Sequence, residues 1–224
     1  LFDLMAQRPT PEELQNNIEF ELIDAFHIDE MGTFLAREMS AGTDENTNKP
    51  LSKYLPLVLL MLLGALVGYG LVSIIPAAFR GDLHGLSSLF GGVLLFFVLL
   101  LPVHELIHGA VFKILGATKI GFGWSWKGMM AYAYAQKFAI NLKELIWLAI
   151  MPFAIITPLL IASIFLFPAW QFTTILLLAL HTMGCIGDFM LIKYALRNKH
   201  REIYTYDDIE GKGESYFYEK VSIK

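Results

Sequence analysis

Residues 89–115 read LFGGVLLFFVLLLPVHELIHGAVFKIL, and this stretch decides how the rest of the chain is to be understood. Fifteen almost wholly apolar residues run straight into His104-Glu105-Leu106-Ile107-His108. Ionisable side chains inside an apolar run are costly, and by default they mark function. The run also has company. Apolar residues make up 55% of the 224-residue chain and charged residues 17%, against roughly 25% charged in ordinary soluble domains. They gather between about residues 55 and 197 and leave both ends polar. A hydrocarbon core takes roughly 20 mostly apolar residues in a helix. Four segments meet that length: Leu55 to Phe79, Leu89 to Leu115, Leu145 to Phe167, and Trp170 to Leu196. Pro102, Pro152 and Pro158 fall inside the second and third and are expected to kink or interrupt them. The first 50 residues hold no apolar core of the kind a signal peptide needs.

The expected architecture is a mainly α, polytopic membrane protein with about four transmembrane helices, a membrane-proximal β-hairpin and small polar N- and C-terminal regions. Residues 1–50 form a helical N-terminal region and linker, 51–197 the membrane core with its hairpin at about 118–136, and 198–224 a C-terminal tail. Basic residues orient the spans, because they collect in cytoplasmic loops. Eleven lie in the connections assigned to the inside, among them Lys113, Lys119, Lys193 and Arg197, and one, Arg80, lies outside. Both termini are therefore expected in the cytoplasm of a multi-pass cell-membrane protein. The single cysteine, Cys185, excludes an internal disulfide, and the net charge of −4 argues against nucleic acid as a partner.

The polar ends carry structural signals. Thr10, Pro11 and Glu13 spell a capped helix start, a second short helix is expected over about Asp29 to Met39, and the tail after Arg201 reads as a second hairpin. Between the second and third spans, Ile120, Phe122, Trp124 and Trp126 alternate with small residues. After Lys127-Gly128, Met130, Tyr132 and Tyr134 alternate with alanines. Period-two patterning around such a turn predicts a hairpin with one aromatic face and one nearly bare face. Trp and Tyr also collect at the headgroup level. A sheet edge here would equally accept an extended peptide as an added strand, with Phe122, Trp124, Trp126 and Tyr132 as the contacting side chains.

The chemistry sits in His104 to His108. Residues four apart share a helix face, so both imidazoles can reach one metal ion, while Glu105 can take a proton from a water that zinc activates. Random placement of six His and thirteen Glu gives on the order of 0.01 such patterns. A catalytic zinc site usually takes three protein ligands. Asp188 on the fourth span lies about 12 Å from that span's inner end, against roughly 10 to 17 Å for the histidines on theirs. His181, about 10 Å farther out, Cys185, and Glu144 at the mouth of the third span remain alternatives. Gly109, Gly184 and Gly187 would let the spans approach closely.

With these residues in place, the chain resembles the site-2 protease class of intramembrane zinc metalloproteases, especially the small bacterial proteins called "putative zincin peptidases". The shared features are HELIH on a membrane helix, a hairpin-like segment after it, and a later helix bearing an aspartate. The resemblance covers roughly Leu55 to Leu196. It implies that His104, His108 and Asp188 bind zinc and that Glu105 is the general base. The implied reaction is hydrolysis of peptide bonds in or next to the bilayer, on a membrane protein or peptide. The motif departs from the family at Gly187-Asp188-Phe189, where an Asp-Gly pair is usual. Two rivals stand beside it: a membrane-embedded zincin of another family with a glutamate as third ligand, and a catalytically inactive metal-binding membrane protein.

Overall fold

The computed structural model describes residues 8–40, 83–128 and 130–221, with scattered positions between 61 and 81. Most of the first expected span, Leu55 to Phe79, lies outside the described residues. The chain divides into two compact units. One comprises Leu1–Ala41, Glu105–Met151 and Gly187–Lys224; the other comprises Gly42–His104 and Pro152–Ile186. Two unbroken helices run through both.

In the first unit, helix α1 (Pro11–Asn16) starts as expected. Thr10 accepts from the Glu13 amide, Glu13 accepts from the Thr10 amide, and Pro11 occupies the first turn. Strand β1 (Phe20–His27) follows, then a 3-10 turn (Ile28–Glu30) and α2 (Met31–Ser40). The sequence reading had no strand here. β1 pairs antiparallel with β6 (Glu214–Lys220), near the opposite end of the chain, and a register shift between Leu22 and Asp24 breaks its alternation. β5 (Ile203–Asp208) and β6 form the C-terminal hairpin, and the short β4 (Ile140–Asn141) completes a four-stranded sheet in the order β1-β6-β5-β4. The core of this unit packs Phe34 of α2 between Phe26, Tyr194 and Phe217, with the Phe26 and Phe34 rings stacked at 4.7 Å.

The middle segment forms the expected hairpin, β2 (Ile120–Ser125) with β3 (Met130–Ala135). Its faces differ from the expectation. Ile120, Phe122 and Trp124 lie opposite Ala135, Ala133 and Ala131, while Gly121 and Gly123 lie opposite Tyr134 and Tyr132. Residues directly opposite share a face, so each face carries aromatic side chains from one strand and small residues from the other. The tyrosine rings lie over the glycines: a methyl group added at Gly121 or Gly123 would meet Tyr134 or Tyr132 at 2.3–2.4 Å. The connecting turn sets this register, and a one-residue change in register moves every side chain of a strand to the other face.

The membrane-type helices are long. His84–Leu115 runs 32 residues without a break, and helix α5 (Leu142–Leu166) runs 25. Both are long and apolar enough to cross a bilayer. The first consists of α3 (His84–Leu95), a π-helical turn (Phe96–Leu100) and α4 (Leu101–Leu115). The widened turn comes just before Pro102, which has no N–H to offer the preceding turn and whose ring would crowd it. α5 continues through Pro152 and Pro158. The fourth expected span is broken: Pro168–Gly184 and Ile186–Arg197 meet at Cys185 with a 40° bend, and together they make a third candidate span. We label its main helices α6 (Gln171–Gly184) and α7 (Ile186–Arg197). In the second unit α3 packs on α6 at Gly92, where an added Cβ would touch Leu176 at 3.0 Å and Thr173 at 3.3 Å.

Candidate active site

α4 carries His104, Glu105 and His108, all buried. One helical turn separates the two imidazoles along a single unbroken helix. Nδ1 of His108 lies 3.0 Å from the carbonyl oxygen of Leu148 on α5. A carbonyl only accepts, so Nδ1 carries the proton, and in the neutral ring Nε2 presents a lone pair. That lone pair faces Oδ1 of Asp188 at 3.3 Å. Two acceptors this close require a cation between them, either a proton or a metal ion. His108 and Asp188 thus bring two ligand atoms side by side within the first unit.

The donor set fits zinc. Bonds of about 2.0–2.2 Å at tetrahedral angles give nitrogen-to-oxygen edges of about 3.4 Å, close to the separation of His108 and Asp188. A metal-ligating imidazole that donates its other N–H to a backbone carbonyl is held in one tautomer and one orientation, as His108 is by Leu148.

The surrounding elements hold these groups in place. The α5 N-terminus is capped by Asn141, which accepts from the amides of Lys143 and Glu144, while Glu144 accepts from the Asn141 amide at 2.9 Å. Glu144 is 2% exposed and pairs with Arg8, which also donates to the Leu115 carbonyl at the end of α4 and covers the Phe138 ring. Arg8 thus ties α4 to α5, the two helices that His108 and Leu148 bridge. Glu144 is engaged in this cap rather than turned to the histidines.

α7 is held by the N-terminal region. Lys193 donates to the carbonyls of Glu38 and Met39, and Arg197 pairs with the buried Glu38 carboxylate at 2.8–2.9 Å. Gly187, next to Asp188, faces Leu35 of α2. This positioning by α2 was not legible in the sequence, where the N-terminal region showed no chemistry. The glycines were expected to bring spans together. Instead Gly109, next to His108, makes room for the hairpin: a Cβ there would meet the Phe122 ring at 2.8 Å and Ile120 at 3.6 Å. Phe122 therefore sits over the residue that follows a candidate ligand. Trp124 is partly exposed and Trp126, in the turn, is 84% exposed; Tyr132 covers Gly123.

In the second unit, His104 has further neighbours. The His181 ring centroid lies 5.5 Å from its own, and Cys185 Sγ lies 4.0 Å from His104 Nδ1. His181 was expected to lie well away from the histidine pair. His104 is one turn earlier on its helix than His108, and within the second unit its ring meets that of His181.

A helix-borne His-Glu-x-x-His with an aspartate near its second histidine offers the residue types that zincin-type metal sites use. Residues 97–204 match the model of a family described as "Putative zincin peptidase". That match supports a zincin-like metallopeptidase and, with it, zinc as the metal. No curated protein and no solved structure matches the chain.

Proposed function

We propose that this chain is an intramembrane zinc metalloendopeptidase that hydrolyses peptide bonds in or next to the bilayer. The observation that carries the reading is the approach of Asp188 to His108 Nε2 while Nδ1 is tied to Leu148. His104, His108 and Asp188 would hold the ion. A zinc ion there acts as a Lewis acid and brings the pKa of water down to about 7. Glu105, adjacent to His104, takes the proton of the attacking water on its carboxylate and returns it to the leaving amine nitrogen. The low-dielectric surroundings strengthen every charge interaction in the site.

The sheet supports a reading with four crossings. Strands β1, β4, β5 and β6 are hydrogen-bonded neighbours, so they share one side of the bilayer. Helix His84–Leu115 lies between β1 and β4, which calls for one more crossing before it, where Leu55 to Phe79 is expected. α5 and the bent pair then make the out-and-back passage between β4 and β5. The excess of basic residues in the connections on the sheet's side supports placing the sheet, and both termini with it, in the cytoplasm.

A transmembrane helix hides its peptide bonds in its own hydrogen bonds, so a substrate must unwind locally. β2 pairs only with β3 among the described residues, and its free edge could take an extended segment as an added strand. Phe122, Trp124, Trp126 and Tyr132 would contact that segment. The reading with Glu144 as third ligand is disfavoured by the cap that holds it.

The test is cleavage of membrane-spanning peptides by the purified chain in lipid, with metal removed by chelator and zinc restored. Zinc-dependent cleavage that Glu105→Gln abolishes supports the proposal. Cleavage that survives both chelation and Glu105→Gln sinks it.

A further inference from the structure

One cluster is not used by the proposed reaction. His181 and Cys185 are among the most deeply buried side chains in the chain, at 1% and 0% exposure. Cys185 Sγ lies 3.7 Å from His181 Nε2 and 4.0 Å from His104 Nδ1. Ligand atoms of His104, His181 and Cys185 lie within 4.8 Å of one another. With zinc–sulfur bonds of about 2.3 Å and zinc–nitrogen bonds of about 2.0–2.1 Å, a tetrahedral site has sulfur-to-nitrogen edges of about 3.6 Å. The observed separations approach that value from above. Two imidazoles and a thiolate are also the ligands that soft and borderline cations select.

The place in the fold supports the same conclusion. Cys185 sits at the 40° bend between α6 and α7. Its amide donates to the His181 carbonyl at 3.0 Å, which fixes the cysteine one turn after the histidine. Three different pieces of chain therefore deliver the ligands: α4, the body of α6, and the bend.

We propose that His104, His181 and Cys185 form a second, thiolate-containing metal position, alternative to the set made with His108 and Asp188, for a thiophilic divalent cation such as zinc or cadmium. Both positions use His104. A neutral imidazole gives one lone pair and keeps its other nitrogen protonated, so one ion occupies one position or the other. Binding at the second position forms a metal–sulfur bond and releases the thiol proton to water. An ion held there is not bound by His108 and Asp188, so the position is a resting place for the metal. This inference rests on the ligand geometry alone and does not require the chain to be a peptidase.

The experiment is zinc-edge X-ray absorption on the purified full chain loaded with one equivalent of zinc, wild type beside Asp188→Ala. Cys185 is the chain's only cysteine, so a sulfur neighbour at about 2.3 Å can come from no other cysteine. Zinc in Asp188→Ala is expected to show one sulfur neighbour, and adding Cys185→Ser should remove it and weaken binding at least ~10-fold. His108→Ala removes the other set in the same way and serves if Asp188→Ala does not fold. Zinc bound to a folded variant with nitrogen and oxygen neighbours only would overturn the proposal. So would a folded variant that binds no zinc. Neither readout involves hydrolysis, so failure here leaves the peptidase reading standing and the reverse also holds.

Discussion

Glu144 offers a sharp test, because one side chain separates two readings of the metal site. Its carboxylate is almost fully buried, accepts from the Asn141 amide at 2.9 Å, and pairs with Arg8, whose side chain is itself 22% exposed. Glu144→Ala removes both contacts. Loss of a helix cap costs about 1 kcal/mol, within a range of about 0.5–2. Loss of a hydrogen bond to a charged group costs about 1.5–3 kcal/mol. The sum, about 2–5 kcal/mol, is a roughly 30- to 5000-fold shift of the folding equilibrium. Glu144→Gln keeps an acceptor for the Asn141 amide and loses the charge, so about half that cost is expected. Thermal unfolding in detergent, followed by circular dichroism, reads the stability; zinc per folded chain reads the site. Both variants should keep their zinc at a temperature where they remain folded. Zinc lost from a folded Glu144→Gln, with stability unchanged, would refute the placement of Glu144 in the cap and revive it as the third ligand.

Glu105→Gln should retain metal and lower kcat by about 10²–10⁴, the usual contribution of general acid–base catalysis; equal kcat in the two proteins would remove Glu105 from the reaction. His104→Ala takes away the ligand common to both metal positions, and zinc affinity by chelator competition should fall by more than the ~10–100-fold typical of outer-shell changes. Retained affinity would mean that the metal binds elsewhere. Glu38→Ala leaves the partly exposed Arg197 without its carboxylate partner, so stability should drop by about 1.5 kcal/mol, the lower end for a hydrogen bond to a charged group; a drop below about 0.5 kcal/mol would deny α2 its hold on α7. Asp207 sits in the cytoplasm-assigned sheet, where burial pushes its carboxyl up to about 6 against a hydrogen bond from Ser215. A raised folded-state pKa favours folding below the unfolded value near 3.8, and that advantage is lost as pH climbs to about 6. Asp207→Asn should therefore be more stable than wild type at pH 7 and match it near pH 4; an equal gap at both would show that the carboxyl does not titrate this way.

The helix that carries HELIH was legible because its signal is local: two histidines four apart on a helix need no partner to be recognised. The hairpin was legible for the same reason, since alternation and Lys127-Gly128 are contiguous. Its faces were not, because the pairing of Gly121 with Tyr134 depends on how many residues the turn takes up, and alternation is silent on that. β1 was missed because the shift between Leu22 and Asp24 spoils its period and its partner lies almost a chain length away. The bend at Cys185 carried no proline to announce it. The meeting of His181 with His104 was hidden too, because the depth reckoning treated the fourth span as one straight helix. The hold of α2 on α7 rests on Lys193 and Arg197, which entered the sequence reading only as basic residues that orient the spans, and on Glu38, which had no role there.

The sheet has a further consequence in time. β1 lies near the start of the chain, and its hydrogen-bonding neighbour β6 lies about 190 residues later. At synthesis rates of ~5–20 residues per second, β1 waits roughly 10–40 s for its partner. Every membrane helix is made during that interval. The groups on α2 that hold α7, and the Arg8 that ties α4 to α5, therefore find their places late, after the helices they hold have been made. A ribosome stalled before residue 214 would present a chain with HELIH synthesised and its aspartate helix in place, yet with β1 still unpaired. Synthesis of the HELIH and aspartate helices and closure of the sheet are thus separate events, and the second waits for β6.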